Sequence, residues 1–193
     1  MNNKDVTIEG LDLSNYFYSP STSSLDIETS NKGKPRMTTN SKGDIIVSSK
    51  DLQQSMDNLG LSDNKQDFLL KIAKLESNNT LNAHSNKSSA SGLFQMVDST
   101  RTSVSSVDKK TFLTSIDEQL KAASKLYDYN LSYIKRNNLL TDIQAKGMSI
   151  NEAIALCWLN PSWAKAYITG KGNVGADANG TTPQKYLNKY RKA

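Results

Sequence analysis

A glutamate that closes an apolar helical run and faces a loop of small polar residues has the makings of a proton donor. Glu76 stands in that position, in Glu76-Ser77-Asn78-Asn79-Thr80-Leu81-Asn82-Ala83-His84-Ser85, which continues through Ser89-Ala90-Ser91-Gly92-Leu93-Phe94-Gln95-Met96. A carboxylate placed this way is partly desolvated, and desolvation raises a carboxyl pKa toward the value a general acid needs. Taken alone, Glu76 reads as a solvated helix end; the adjoining loop shifts the weight toward chemistry. The rest of the composition removes competitors. The single cysteine, Cys157, excludes an intramolecular disulfide framework and a multi-cysteine zinc site. The single histidine, His84, leaves no His-rich metal chemistry and makes a Ser-His or Cys-His nucleophile pair a poor reading. Carboxylates, hydroxyls, amides and the backbone are left to act, and neither a metal nor a cofactor is called for.

This stretch resembles the signature of the soluble, goose-lysozyme-like family of lytic transglycosylases: Glu-Ser, then Ala-x-Ser, then Gly-Ala-x-Gly-Leu-x-Gln. The counterparts are Glu76-Ser77, Ala83-His84-Ser85 and Ala90-Ser91-Gly92-Leu93-Phe94-Gln95, with Ser89 in place of the usual glycine and one extra residue in the loop. The resemblance covers roughly residues 61 to 190. It implies a lysozyme-like α domain in which Glu76 is the single catalytic acid and base, with Ser85 and Gln95 lining the substrate cleft. The family usually carries Ala-Tyr-Asn-x-Gly near the end of a later helix, where this chain has Cys157-Trp158-Leu159-Asn160-Pro161. Either Asn160 takes the family's asparagine position or Trp158 its aromatic one, so both enter the expected substrate-binding set. A tyrosine hydroxyl expected beside the glutamate is not supplied by this segment.

The carboxylate pattern bears on mechanism. Glycosidases that use two carboxylates hold them ~5 to 10 Å apart around the scissile bond. No Asp or Glu lies between Ser77 and Val97, and Asp98, the first beyond, reads most simply as a helix N-cap. A one-carboxylate site fits a substrate-assisted cut of the MurNAc-GlcNAc β-1,4 bond of peptidoglycan that leaves a 1,6-anhydro end. The alternatives are a hydrolytic muramidase of the same fold, with Asp98 or another carboxylate positioning water, and an inactive structural or wall-binding component. Trp158 and Trp163 read either as platforms for sugar faces or as core aromatics. Cys157 reads as a small buried hydrophobe, and His84 as an exposed loop residue.

Helical elements must position these groups. Phe68, Leu69, Ile72, Ala73 and Leu75 recur at spacings of three and four after Asp63, which with Gln66 reads as a helix cap, and this helix delivers Glu76 at its end. Residues 78 to 92 read as a loop or small β-hairpin. Ser115 with Glu118 opens the longest helix, of about twenty residues, whose stripe is Ile116, Leu120, Ala123, Leu126 or Tyr127, Leu131 and Ile134. Ser149 with Glu152 opens another, through Ile150, Ala153, Ile154 and Cys157, which stops at Asn160-Pro161. Pro161 starts the next helix and Gly170 ends it; a last short helix comes after Pro183.

The chain of 193 residues thus reads as mainly α: a lysozyme-like catalytic domain over residues 61–193 behind an extended or disordered N-terminal arm over residues 1–60. Apolar islands in the arm (Leu11-Asp12-Leu13, Tyr16-Phe17-Tyr18 and Ile45-Ile46-Val47) read as anchoring points on a partner or on the domain itself. A mean hydropathy of −0.58, with no run near the roughly 20 apolar residues of a bilayer span, points to a soluble protein without a membrane partner. Residues 1–60 carry six Lys or Arg against eight Asp or Glu, whereas residues 61–193 carry eighteen against eleven. The basic half suits the anionic bacterial envelope. Scattered lysines without a binding motif speak against nucleic acid. The N-terminus lacks the apolar stretch of a signal peptide. The expected setting is therefore a phage virion or tail, or a secretion machine, with residues 1–60 docking to a structural protein and the enzyme acting on glycan strands in the periplasm.

Overall fold

The computed structural model describes residues 37–193, and among these the chain is mainly α-helical with one small two-stranded sheet. The order is β1 (Met37–Thr39), β2 (Ile45–Val47), α1 (Ser49–Asn58), α2 (Asp63–Ser77), α3 (Asp98–Val104), α4 (Lys109–Thr114), α5 (Ile116–Arg136), α6 (Leu140–Ala145), α7 (Ile150–Leu159), α8 (Pro161–Thr169) and α9 (Pro183–Tyr190). No helix among the described residues is long and apolar enough to cross a membrane.

α7 is the centre of the fold. Ile150, Ala153, Ile154, Ala155, Leu156 and Cys157 are all buried, so this helix is covered on every side rather than along one stripe. It packs against α2, α5, α8 and α9. Small side chains at 153 and 155 let its neighbours approach closely. The reciprocal capping box of Ser149 and Glu152 satisfies its first turn, and Glu152 also pairs with Arg191 at 2.6 Å, tying the start of α7 to the end of α9. Phe68 on α2 is the knot between the layers: its ring lies 5.0 Å from Tyr127 on α5, 5.6 Å from Trp158 on α7 and 5.9 Å from Tyr190 on α9. On α5 Tyr127 is buried, its hydroxyl donating to Asn151 Oδ1 at 3.0 Å, while Leu126 is partly buried and packs against the core.

Two expectations need correction. Residues 37–60, assigned to an extended arm, are folded onto the domain. Met37 pairs with Val47 and Thr39 with Ile45 in an antiparallel hairpin. β2 is then held by the segment after α2: Val47 N–H donates to the Asn79 carbonyl at 3.0 Å, Leu81 N–H to the Ile45 carbonyl at 2.8 Å, and Ile45 N–H to Asn82 Oδ1 at 2.8 Å. α1 buries Leu52 and Met56, so the Ile45-Ile46-Val47 island anchors to its own domain. The islands at 11–13 and 16–18, with the rest of the arm before Met37, lie outside the described residues. Secondly, Asp63 and Asp98 are first helical residues and not caps; Ser62 and Val97 hold the N-cap positions.

Candidate active site

Glu76 sits in the last turn of α2, and the chain must then leave the helix sharply. Asn78 and Asn79 both take positive φ (52° and 62°), a conformation asparagine tolerates better than most residues, and Asn79 N–H reaches back to the Ala73 carbonyl at 3.1 Å to close the helix end. Ser77 ties this exit to the loop beyond it. Its Oγ lies 2.9 Å from the Leu93 carbonyl and accepts the Thr80 N–H at 3.1 Å, so the loop of residues 91–96 is fastened directly behind the glutamate.

A second fastening comes from α5. Gln119 is fully buried; its Oε1 accepts the Leu93 N–H at 2.7 Å, and its Nε2 donates to the Leu81 and Phe112 carbonyls, each at 2.9 Å. Gly92, with φ 81°, is the residue that lets the loop approach: a Cβ there would stand 2.4 Å from Gln119 Oε1. The sequence reading did not single out Gln119, although a polar residue within the stripe Ile116, Leu120, Ala123 is a signal for a buried polar anchor.

These elements enclose a cleft of about 810 Å³ whose lining includes Glu76, Ser85, Gln95, Trp158 and Asn160, the full set expected from sequence. Their local roles differ. Gln95 holds a positive φ of 45°, and its Nε2 donates to the Gly92 carbonyl at 3.0 Å, so it shapes its own loop. Ser85 Oγ accepts the Lys87 N–H at 3.2 Å. Trp158 is half-buried; its Nε1 donates to the Phe94 carbonyl at 3.3 Å and its ring packs on Phe68 and Phe94. Asn160 Oδ1 caps α8 by accepting the Trp163 N–H at 3.0 Å. Trp163 itself does not line the cleft and is covered by Gly175. Cys157 lines the cleft floor, where burial pushes its thiol up to about 12, far from a nucleophile's range. Asp98 is not part of the lining. It pairs with Lys109 at 3.0 Å, and that partner holds its carboxyl below the usual range.

Two cleft residues escaped the sequence reading. Tyr186 on α9 donates its hydroxyl to Glu76 Oε1. Burial and the neighbouring Glu76 carboxylate push this phenol well above its ordinary pKa, so it remains a donor. The available signal was Tyr186, Leu187 and Tyr190 recurring on one face of the last helix. Asp177 lines the cleft from the loop between α8 and α9, where its Oδ1 accepts the Asn179 and Thr181 N–H groups, both at 2.8 Å.

The Glu76 carboxyl is raised above its ordinary pKa. Burial is the main cause; the Asp177 charge adds to it, while the Tyr186 hydrogen bond and Lys189 oppose it. If Glu76 must be protonated to act, activity falls as pH rises through its pKa. Asp177→Asn removes a nearby negative charge and moves that alkaline fall to lower pH. Tyr186→Phe removes a donor to the carboxylate and moves it to higher pH. Opposite displacements of the two kcat profiles on one substrate are the expected result; profiles that coincide with wild type would dissociate both residues from Glu76.

Among the described residues, no group of three or more His, Cys, Asp or Glu side chains is arranged to hold a metal ion. Among the described residues, Glu76 and Asp177 are the charged side chains of the lining, and no Lys or Arg joins them. The sequence matches no protein-family model and no curated protein.

Proposed function

We propose that this protein is a peptidoglycan lytic transglycosylase of the lysozyme-like fold, cleaving the MurNAc-GlcNAc β-1,4 bond. The observation that carries the reading is Glu76: a partly buried carboxyl whose pKa is raised by burial, at the end of a helix, hydrogen-bonded to Tyr186 and open to a cleft of about 810 Å³. A cleft of that size is large enough to take a short stretch of saccharide. Among the described residues its lining carries no cationic side chain, which disfavours a phosphate backbone, although the domain as a whole is basic. Tyr186 answers the tyrosine that the resemblance requires beside the acid and that the Cys157–Pro161 segment does not supply.

In this reading Glu76 protonates the glycosidic oxygen while the substrate's own N-acetyl oxygen stabilises the anomeric carbon. The resulting Glu76 carboxylate then takes the proton of the muramoyl 6-hydroxyl, whose oxygen closes on C1 to give the 1,6-anhydro product. Tyr186 serves both stages by orienting Oε1 and donating to the carboxylate when it is charged. One carboxyl suits both steps because burial raises its pKa above the ordinary carboxylate value.

Asp177 supports a second reading. A further carboxylate at the same cleft is what a hydrolase uses to position water, and it would make the enzyme a muramidase. Mass spectrometry of muropeptides released from purified sacculi separates the two. Anhydro-muramoyl ends are the expected product; reducing ends would establish hydrolysis. Absence of any product would leave the fold as a wall-binding or structural module.

A further inference from the structure

The cleft that holds Glu76 is also lined from α5, by Leu126, Tyr129 and Asn130. Tyr129 differs from the other aromatics of the fold. Tyr127, Tyr186 and Tyr190 are buried, whereas Tyr129 is 55% exposed while lining a concave surface. An aromatic ring left open at a cleft is a ready contact for an apolar ligand face. Its setting is ordered: the Arg136 guanidinium, two turns along α5, lies 5.7 Å from the ring centroid and restrains it by a cation–π contact. Beside it, Asn130 is buried and its Nδ2 has no hydrogen-bond partner among the described residues. An amide donor left unmet is costly, and a ligand carbonyl at the cleft wall would meet it. Ser99, Thr100 and Ser103 of α3, the helix that packs against α5, add hydroxyls to the lining.

A flat ring, an amide donor and several hydroxyls, with no charge of either sign among them, are the chemistry that holds an N-acetylated sugar: the ring takes the C–H face, the amide an acetamido carbonyl, the hydroxyls the sugar's own. We propose that Tyr129 and Asn130 form a sugar subsite for the glycan strand, apart from the bond-breaking position at Glu76. The inference rests on the reading of the cleft as a glycan site and adds a specificity-determining residue to it. A subsite set apart from the acid in this way would engage only substrates that extend beyond the cleavage point.

The test uses the full chain carrying Glu76→Gln, so that saccharide binds without turnover, and titrates it calorimetrically with the β-1,4-linked hexamer and dimer of N-acetylglucosamine. Tyr129→Ala in that background is expected to weaken hexamer binding about tenfold, roughly 1.4 kcal/mol, and to leave dimer binding unchanged. Tyr129→Trp restores the hexamer affinity, which a purely structural role for the ring would not produce. Equal hexamer binding with and without the Tyr129 ring overturns the subsite, as does a parent that binds no hexamer. Release of muropeptides from sacculi by the wild-type chain then tells which idea has failed: digestion retained means that only the subsite falls, and digestion absent means that the glycan reading falls with it.

Discussion

Glu76→Gln is expected to reduce the rate of muropeptide release by about a thousandfold or more without loosening the fold. The size follows from the number of steps that depend on one group. A positioned acid or base contributes roughly 10²–10⁴ in rate, and in the proposed cycle the same carboxyl gives the proton to the leaving oxygen and later takes one from the 6-hydroxyl. Glutamine keeps the volume and can still accept the Tyr186 hydroxyl through its amide oxygen, but it transfers no proton. The effect on stability has a definite sign. A carboxyl whose folded pKa is raised contributes its stability below the ordinary carboxylate range, and that contribution is lost as pH rises through the raised value. Glutamine has no such titration. The variant should therefore gain in melting temperature relative to wild type as pH increases, while its activity stays near background at every pH. A Glu76→Gln chain that retains more than about a tenth of wild-type activity would remove Glu76 from the chemistry, whatever products the wild type forms.

The parts of this fold that could be read in the sequence are those governed by local chemistry. The helices after Ser115, Ser149 and Asn160 begin where a capping side chain meets an apolar period, because a cap and a 3.6-residue repeat are both written within a few consecutive positions. α3, α4 and α6 have six or seven residues, fewer than two turns, so no period can emerge from them. The hairpin and α1 were hidden for a different reason. Their apolar residues are few, and what fastens β2 to the domain is the Asn79–Asn82 segment, more than thirty residues away. The same division runs through the site. Glu76, Ser85, Gln95, Trp158 and Asn160 stand out because they belong to short ordered motifs, and the fold brings them to one cleft. Tyr186 and Asp177 reach Glu76 only through the return of the last helix, a contact spanning 110 residues in the case of Tyr186. Tertiary proximity of that kind leaves no local periodicity to find.

Gln119 carries the same lesson into stability, and its replacement has the second largest expected effect. One side chain satisfies three buried backbone groups from three separate segments: the Leu93 N–H of the active-site loop, the Leu81 carbonyl of the preceding turn and the Phe112 carbonyl of α4. Gln119→Leu fills nearly the same space but meets none of them. Each buried backbone group left without a partner costs about 1–3 kcal/mol; the Phe112 carbonyl keeps the Ser115 N–H at 3.4 Å, so with two groups orphaned the variant is expected to lose about 2–6 kcal/mol, a large share of the roughly 5–15 kcal/mol that holds an ordinary domain together. Urea denaturation should show the midpoint falling with the slope unchanged. Gly92→Ala attacks the same contact from the other side, driving a methyl group against Gln119 Oε1 at a φ that alanine resists. The two changes share one interaction, so their combined cost should fall short of the sum of the single costs. Loss of less than about 1 kcal/mol in Gln119→Leu would mean that the loop behind Glu76 is held by Ser77 and the hairpin alone. The predicted loss instead makes α5 the part of the fold that sets the loop's position, and through it the wall against which Glu76 works.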